Sequence, residues 1–299
     1  MPLHEGETPV THPLVADLVR QQCPWWAGLP LRRLRTSGTE HTTWRLGEDF
    51  LVRLPRHADA AQGLLKEITW WPRLRGVIPL EVPEVLHVGT PTEHFPHPWA
   101  VNRWLPGEDA AGAALTGPIA LSWANALAEV VQALTSVDLT RLAPEQWPVG
   151  ARGGHLQERI RGLDEARDWL STRPEALPFH AMLASAAAVE PPPITVLLHA
   201  DLIPGNLVIR DGQIVGLLDL GTLTTGYPAW EHTCAWWVLD APARARYRAI
   251  LEVDEASWQW GRAFAALQGN GARWYYESKG HPLAALGARA LDQCLQDVP

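Results

Sequence analysis

Cysteine is scarce in this 299-residue chain: Cys23, Cys234 and Cys294 stand far apart, and no Cys-x-x-Cys pair occurs. That spacing fits neither a disulfide framework nor a zinc site, and it points to a reducing compartment. Long apolar runs are missing too, since no stretch approaches the roughly 20 residues that a membrane span requires. The opening residues MPLHEGETPVTHPLV lack a basic start leading into an apolar run. A soluble cytoplasmic protein without a membrane partner is therefore expected. Positive charge is in deficit: Lys plus Arg is 25 against 33 for Asp plus Glu, a balance of −8. Such a surface repels phosphate backbones, which argues against nucleic acid as a partner. Internal repeats and low-complexity tracts are also absent.

The chain is 46% hydrophobic and 19% charged, and chains of this size remove roughly 75% of their unfolded surface from water. Its length suggests two units, or one domain in two lobes. Sixteen tryptophans must be mostly core or pocket wall, because exposed indoles cost solubility.

Short β-branched, aromatic and aliphatic runs at 31–36, 42–46 and 50–54 predict strands, the last two joined as a hairpin across Gly47, Glu48 and Asp49. Over 58–74 the apolar residues Leu64, Leu65, Ile68, Trp71 and Leu74 recur at spacings of three and four, which predicts a helix. Two more strands are expected at 85–88 and 99–101. After Leu105, Pro106 and Gly107 the composition turns Ala- and Leu-rich, with helices expected over 119–134 and 156–170. The boundary is therefore placed at residue 105, giving units 1–104 and 105–299. Strands return between 193 and 219, with Asp211-Gly212 as a tight-turn signal, and helix resumes from Trp230.

The chemistry-bearing stretch runs from His199 through Asp201, Pro204, Gly205 and Asn206 to Asp219, Leu220 and Gly221. If Asp211-Gly212 is a two-residue turn, Asn206 faces Leu217 and Asp219 lies one diagonal further. Diagonal neighbours are about 7 to 8 Å apart, a span that one hard cation bridges when both side chains lean inward. Asp201 enters the same end from the preceding loop. Two carboxylates and an amide make an all-oxygen donor set, which suits Mg2+ held together with a ligand's phosphates. Polar residues at strand ends are ordinary in themselves. The conjunction is what matters, because only four asparagines occur (Asn102, Asn125, Asn206, Asn270) and one falls at the required offset.

His-x-Asp-x-x-x-x-Asn followed by Asp-x-Gly is also the arrangement of eukaryotic-type kinases. The chain resembles the aminoglycoside phosphotransferase family over nearly its whole length: Thr43 to Arg56, Lys66 and Glu67, Trp71 to Leu74, Pro98 to Gly107, the His199 to Gly221 block, Gly226 to Ala229 and Arg273 to Tyr276. The resemblance implies an α+β, two-lobed protein-kinase-like fold. It would have a small N-terminal antiparallel sheet with one main helix and a larger, mostly helical C-terminal lobe.

It also implies residue roles. Asp201 would be the catalytic base, with Asn206 and Asp219 as magnesium ligands. Arg53, on the third strand where the family usually carries Lys, would reach the nucleotide phosphates, and Glu67 on the following helix would pair with it. The alternatives are an Arg on an exposed strand face and a solvated helix acid. The loop containing Ser37, Gly38 and Thr39 would cover the phosphates through backbone N–H groups and hydroxyls, although a plain hairpin turn would read the same. Arg103 and Leu105 would lie in the hinge whose main chain meets the purine of ATP or GTP. His199 is given a loop-bracing role. Ala200, Leu220, Tyr227 and Glu231 depart from the family's usual residues.

The function implied is transfer of a γ-phosphoryl group to a hydroxyl of a small molecule, an aminoglycoside-type antibiotic first, by a monomer or homodimer. A macrolide or metabolite kinase and a non-catalytic nucleotide-binding regulator are the alternatives.

Overall fold

In the computed structural model, residues 3–4, 6–34, 38–116 and 119–297 are described. The chain divides into two compact units. The first comprises residues 1–76, 81–107 and 216–221; the second comprises 77–80, 108–215 and 222–299.

The first unit opens with helix α1 (His12–Gln22), which the strand-dominated expectation for this region did not include. Thr11 caps it, and Val15, Leu18 and Val19 present an apolar stripe at helical spacing. Strands β1 (Leu31–Arg33), β2 (His41–Leu46) and β3 (Phe50–Pro55) follow, then helix α2 (Ala58–Leu74), β4 (Val85–Gly89) and β5 (Trp99–Arg103). The strands form one antiparallel sheet in the order β1-β2-β3-β5-β4. The expected hairpin is present, with Leu46 opposite Phe50. The stripe of α1 packs on the sheet through Trp44, Leu46, Val52, Leu54, Phe95, Trp99 and Val101, closing one core.

Helix α2 has the expected bounds, and its inner face includes the acid expected to pair with β3. Ala60, Ala61, Leu64, Glu67, Trp70 and Leu74 are buried, while Leu65 is exposed and Ile68 and Trp71 are half-buried. The helix is rotated so that an acid, rather than the full apolar run, faces inward. The reason lies on β3, where Arg53 is buried opposite it.

The second unit contains β6 (Glu108–Asp109), α3 (Ala111–Thr116), α4 (Leu121–Thr135), α5 (Leu156–Arg161), α6 (Asp164–Ser171) and α7 (Ala176–Ala187). After these come β7 (Val196–Leu198), β8 (Leu207–Arg210), β9 (Gln213–Leu217), whose end belongs to the first unit, and β10 (Thr224–Gly226). Helices α8 (Cys234–Trp237), α9 (Ala241–Leu251), α10 (Glu255–Tyr276) and α11 (Leu283–Gln296) complete it. The single helix expected over 156–170 is two, broken at Gly162 and Leu163. Asp211 and Gly212 both take positive φ (52° and 73°) at the β8–β9 turn, as the right-handed twist of a two-residue hairpin demands. The core is aromatic: Trp230 stacks on Phe264 at 4.0 Å, and Trp236, Trp237 and Trp260 are all but fully buried. Among the described residues no helix is long and apolar enough to cross a membrane.

Candidate active site

In the first unit the geometry centres on Arg53. Its guanidinium, in the middle of β3, makes a close ion pair with Glu67 Oε1 across from α2. A second contact reaches Asp219 Oδ1 at 3.9 Å. Burial works against the charge of Arg53, yet Glu67 and Asp219 outweigh it and hold the guanidinium above its ordinary range. Asn102 on β5 donates to Glu67 Oε1 at 3.5 Å, completing a buried polar set inside the sheet–helix layer. The exposed-Arg and solvated-Glu alternatives do not hold, since Arg53 is 8% exposed and Glu67 3%. Lys66, one of only two lysines in the chain, is half-buried on α2; burial pulls its pKa down while the Asp219 charge opposes the shift.

Asp219 itself has φ of 62°, a left-handed conformation that turns its carboxylate toward Arg53. Gly221 follows because the backbone there presses on α2. A Cβ at 221 would lie 2.9 Å from the carbonyl of Gly63 and 3.1 Å from Asp219 Oδ1. Leu220, where aromatics are frequent in the family, is fully buried. Of the loop and hinge residues, Gly38 is exposed, and the Thr39 hydroxyl donates to Glu40 Oε1 at 3.4 Å. Ser37 lies outside the described residues. Arg103 is exposed and pairs with Glu84 at 3.0 Å, and Leu105 is half-buried.

In the second unit the geometry centres on Asp201. Asn206 closes a 3₁₀ turn, Pro204–Asn206, immediately before β8 begins at Leu207. Pro204 starts that turn and bends the side chain of Asn206 back, so its Nδ2 donates to the Asp201 carbonyl (2.9 Å) and to Asp201 Oδ2 (3.1 Å). Oδ1 of Asp201 receives Gln268 Nε2 of α10 at 2.8 Å and a close ion pair from Arg152. Arg152 also donates to the Ala200 carbonyl at 2.8 Å. Arg159, whose guanidinium lies 5.8 Å over the Trp230 ring, is lowered to about 10 by burial and by the neighbouring Arg152 charge.

Beneath this loop, Ala200 stands where the family usually has glycine, and its φ of 63° explains the usual choice. Glu231 accepts hydrogen bonds from the backbone N–H groups of both His199 and Ala200 and so holds the strained turn. His199 is fully buried and accepts the Asp201 N–H on Nδ1, the bracing role expected of it. Burial raises Glu231 to about 7, partly offset by those two N–H donors. Arg152 and Gln268 were not found from sequence. They lie far along the chain from Asp201 and carry no motif.

One group of described residues has ligand atoms close enough to share a cation: His4, Glu40 and His57. His57 Nδ1 accepts the Ala60 N–H to cap α2, which in a neutral ring leaves the proton on Nε2, facing Glu40 at 3.2 Å. That tautomer donates to the carboxylate and does not ligate a metal.

A family model described as a phosphotransferase enzyme family matches residues 32–266. The fold is of the protein-kinase-like class. The chain belongs to the phosphotransferase family that this model describes. Solved structures that it resembles include the GDP complex of a variant aminoglycoside 2'-phosphotransferase-IIIa (17% identity, 96% of this chain and 98% of that one, TM-score 0.77). The GDP and kanamycin complex of the 2''-phosphotransferase IIIa gives 16% identity, 95% and 99% coverage and a TM-score of 0.72. The macrolide 2'-phosphotransferase of Brachybacterium faecium gives 19%, 96% and 99%, and 0.64. No curated protein matches the sequence.

Proposed function

We propose that this protein transfers the γ-phosphoryl group of ATP or GTP to a hydroxyl of a small molecule, with an aminoglycoside-type acceptor as the first reading. The observation that carries it is Asp201: a buried carboxylate fixed by side-chain donors from three separate segments, at the position of the family's catalytic base. Asp201 orients the acceptor hydroxyl and takes its proton. Asn206 and Asp219 fit the role of magnesium ligands by donor chemistry. The amide nitrogen of Asn206 is spent on Asp201, which leaves its oxygen for a hard cation, and Asp219 adds a carboxylate. When bound, magnesium neutralises phosphate charge. Arg53, held ionised by Glu67, is the protein cation for the phosphates, with Gly38 and Thr39 over them and Arg103 and Leu105 beside the purine. A loose transition state asks mainly for positioning and charge stabilisation, which these groups supply.

The surplus of acids, −8 overall, would draw a cationic acceptor inward, an effect that weakens as salt rises. A macrolide or another less polar alcohol is the second reading, in keeping with the macrolide 2'-phosphotransferase among the structures the chain resembles.

The test is acceptor-dependent production of ADP or GDP across aminoglycosides, macrolides and amino alcohols. Asp201→Asn should keep the fold and nucleotide binding while losing most turnover. Undiminished turnover would remove Asp201 from the role of base. Nucleotide binding with no acceptor-dependent turnover anywhere in the panel would favour a regulator.

A further inference from the structure

The donors around Asp201 are not distributed evenly. Among the described residues Oδ1 takes two, the Arg152 guanidinium and Gln268 Nε2 at 2.8 Å, whereas Oδ2 takes one, Asn206 Nδ2 at 3.1 Å. A carboxylate offers about four lone-pair sites, two on each oxygen. Within this set the sites on Oδ1 are filled, and Oδ2 keeps one open.

Resting on the phosphotransferase reading above, we propose that Arg152 and Gln268 form a clamp on Oδ1 that leaves Oδ2 as the one atom of Asp201 able to take the acceptor's proton. In the step this serves, the acceptor oxygen forms a bond to the γ-phosphorus. The bond from that phosphorus to the β–γ bridging oxygen breaks, with its electron pair leaving on the nucleoside diphosphate. The acceptor's hydroxyl proton passes to Oδ2. Arg152 and Gln268 are positioning residues, because both act through Asp201.

Two features make a clamp of what could be a chance ion pair. Arg152 Nη1 spans Asp201 Oδ1 and the carbonyl of Ala200, so a single nitrogen ties the carboxylate to the strained backbone beside it. Gln268 approaches from α10, a different element, and is itself 9% exposed. Without them, rotation about the Cβ–Cγ bond would exchange the two oxygens, restrained only by Asn206. A misdirected base is costly, since small displacements of a reacting group lose about a hundredfold in rate.

The experiment compares wild type, Arg152→Ala, Arg152→Lys, Gln268→Leu and the double variant Arg152→Ala/Gln268→Leu, using the acceptor that turns over best. Arg152→Ala should lower kcat by about tenfold to a hundredfold with nucleotide KM within about twofold of wild type. Added guanidinium ion should restore part of that loss. Lysine offers one nitrogen for both contacts, so Arg152→Lys should keep most of the activity. The double variant should fall short of the product of the two single losses, because both residues act on one oxygen. A kcat unchanged in Arg152→Ala would overturn the clamp. So would a loss that guanidinium does not restore and that comes with a lowered melting temperature and weakened nucleotide binding, because that pattern marks a merely structural arginine. If the wild type transfers to no acceptor, the phosphotransferase reading fails and the clamp with it. If wild type transfers and the Arg152 variants match it, only the clamp fails.

Discussion

Replacing Glu231 by Gln should change how stability depends on pH, with a sign fixed by burial. The carboxyl is fully buried, and its pKa rises from 4.5 to about 7 because burial penalises the charged form. Between those values the folded chain keeps a proton that the unfolded chain has released. The stability from this residue is therefore full below pH 4.5 and is lost as pH rises through about 7. The slope is about −1.4 kcal/mol per pH unit, and the whole span amounts to about 3 kcal/mol. His232, next in the chain, works the other way. Burial lowers it to about 4 from 6.5, so its contribution is present above 6.5 and lost as pH falls through about 4. From about pH 4.5 to 6.5 the two slopes oppose each other in the wild type. Glutamine keeps an oxygen for the N–H groups of His199 and Ala200 and cannot titrate, so of this pair the variant should retain the His232 slope alone. Urea denaturation midpoints at closely spaced pH values measure this. The wild-type-minus-variant difference should fall by about 1.4 kcal/mol per pH unit across the window. Parallel curves for the two proteins would refute the reasoning, since Glu231 would then titrate alike folded and unfolded.

Glu67→Ala strands the buried Arg53 charge and should cost about 3–5 kcal/mol in urea denaturation, whereas a cost under about 1 kcal/mol would mean that Asp219 suffices as counter-ion. Ala200→Gly removes a Cβ from left-handed backbone and should raise the melting temperature, by up to about 1 kcal/mol of stability; a fall would show that packing around that methyl outweighs the strain. Asp219→Ala should weaken magnesium–nucleotide binding, and an unchanged calorimetric affinity would contradict its place as a ligand.

What the sequence makes legible follows from how local the signal is. The β2–β3 hairpin, the bounds of α2 and the Asp211-Gly212 turn rest on periodicity and turn chemistry within a few residues, and all are present. For α2 the apolar periodicity gives the helix but not its inner face, since Leu65 is exposed; the inward position of Glu67 opposite Arg53 was legible through the family resemblance and not through periodicity. The stripe Val15, Leu18 and Val19 was available for α1, but a polar helix of 11 residues speaks softly beside the strands that follow it. The turn that carries Asn206 was not legible in the same way: Pro204 sets a 3₁₀ turn before β8, where counting back from Asp211-Gly212 assumes an unbroken strand. Arg152 and Gln268 reach Asp201 across 49 and 67 positions of chain, beyond any local pattern, whereas Ala200 and Glu231 stood out as departures and prove coupled through two backbone N–H groups.

The meeting of Gly63 and Gly221 has a consequence for mutational tolerance. The two glycines touch, but a methyl added at 63 would find ordinary contact at 3.7 Å, while one at 221 would be driven into main chain at 2.9 Å. Saturation of both positions should therefore give lopsided results, with substitutions surviving on the helix and purged from the acidic segment. That intolerance would come first from the main chain of α2 at Gly63 and next from the Asp219 carboxylate itself, 3.1 Å from a methyl at 221.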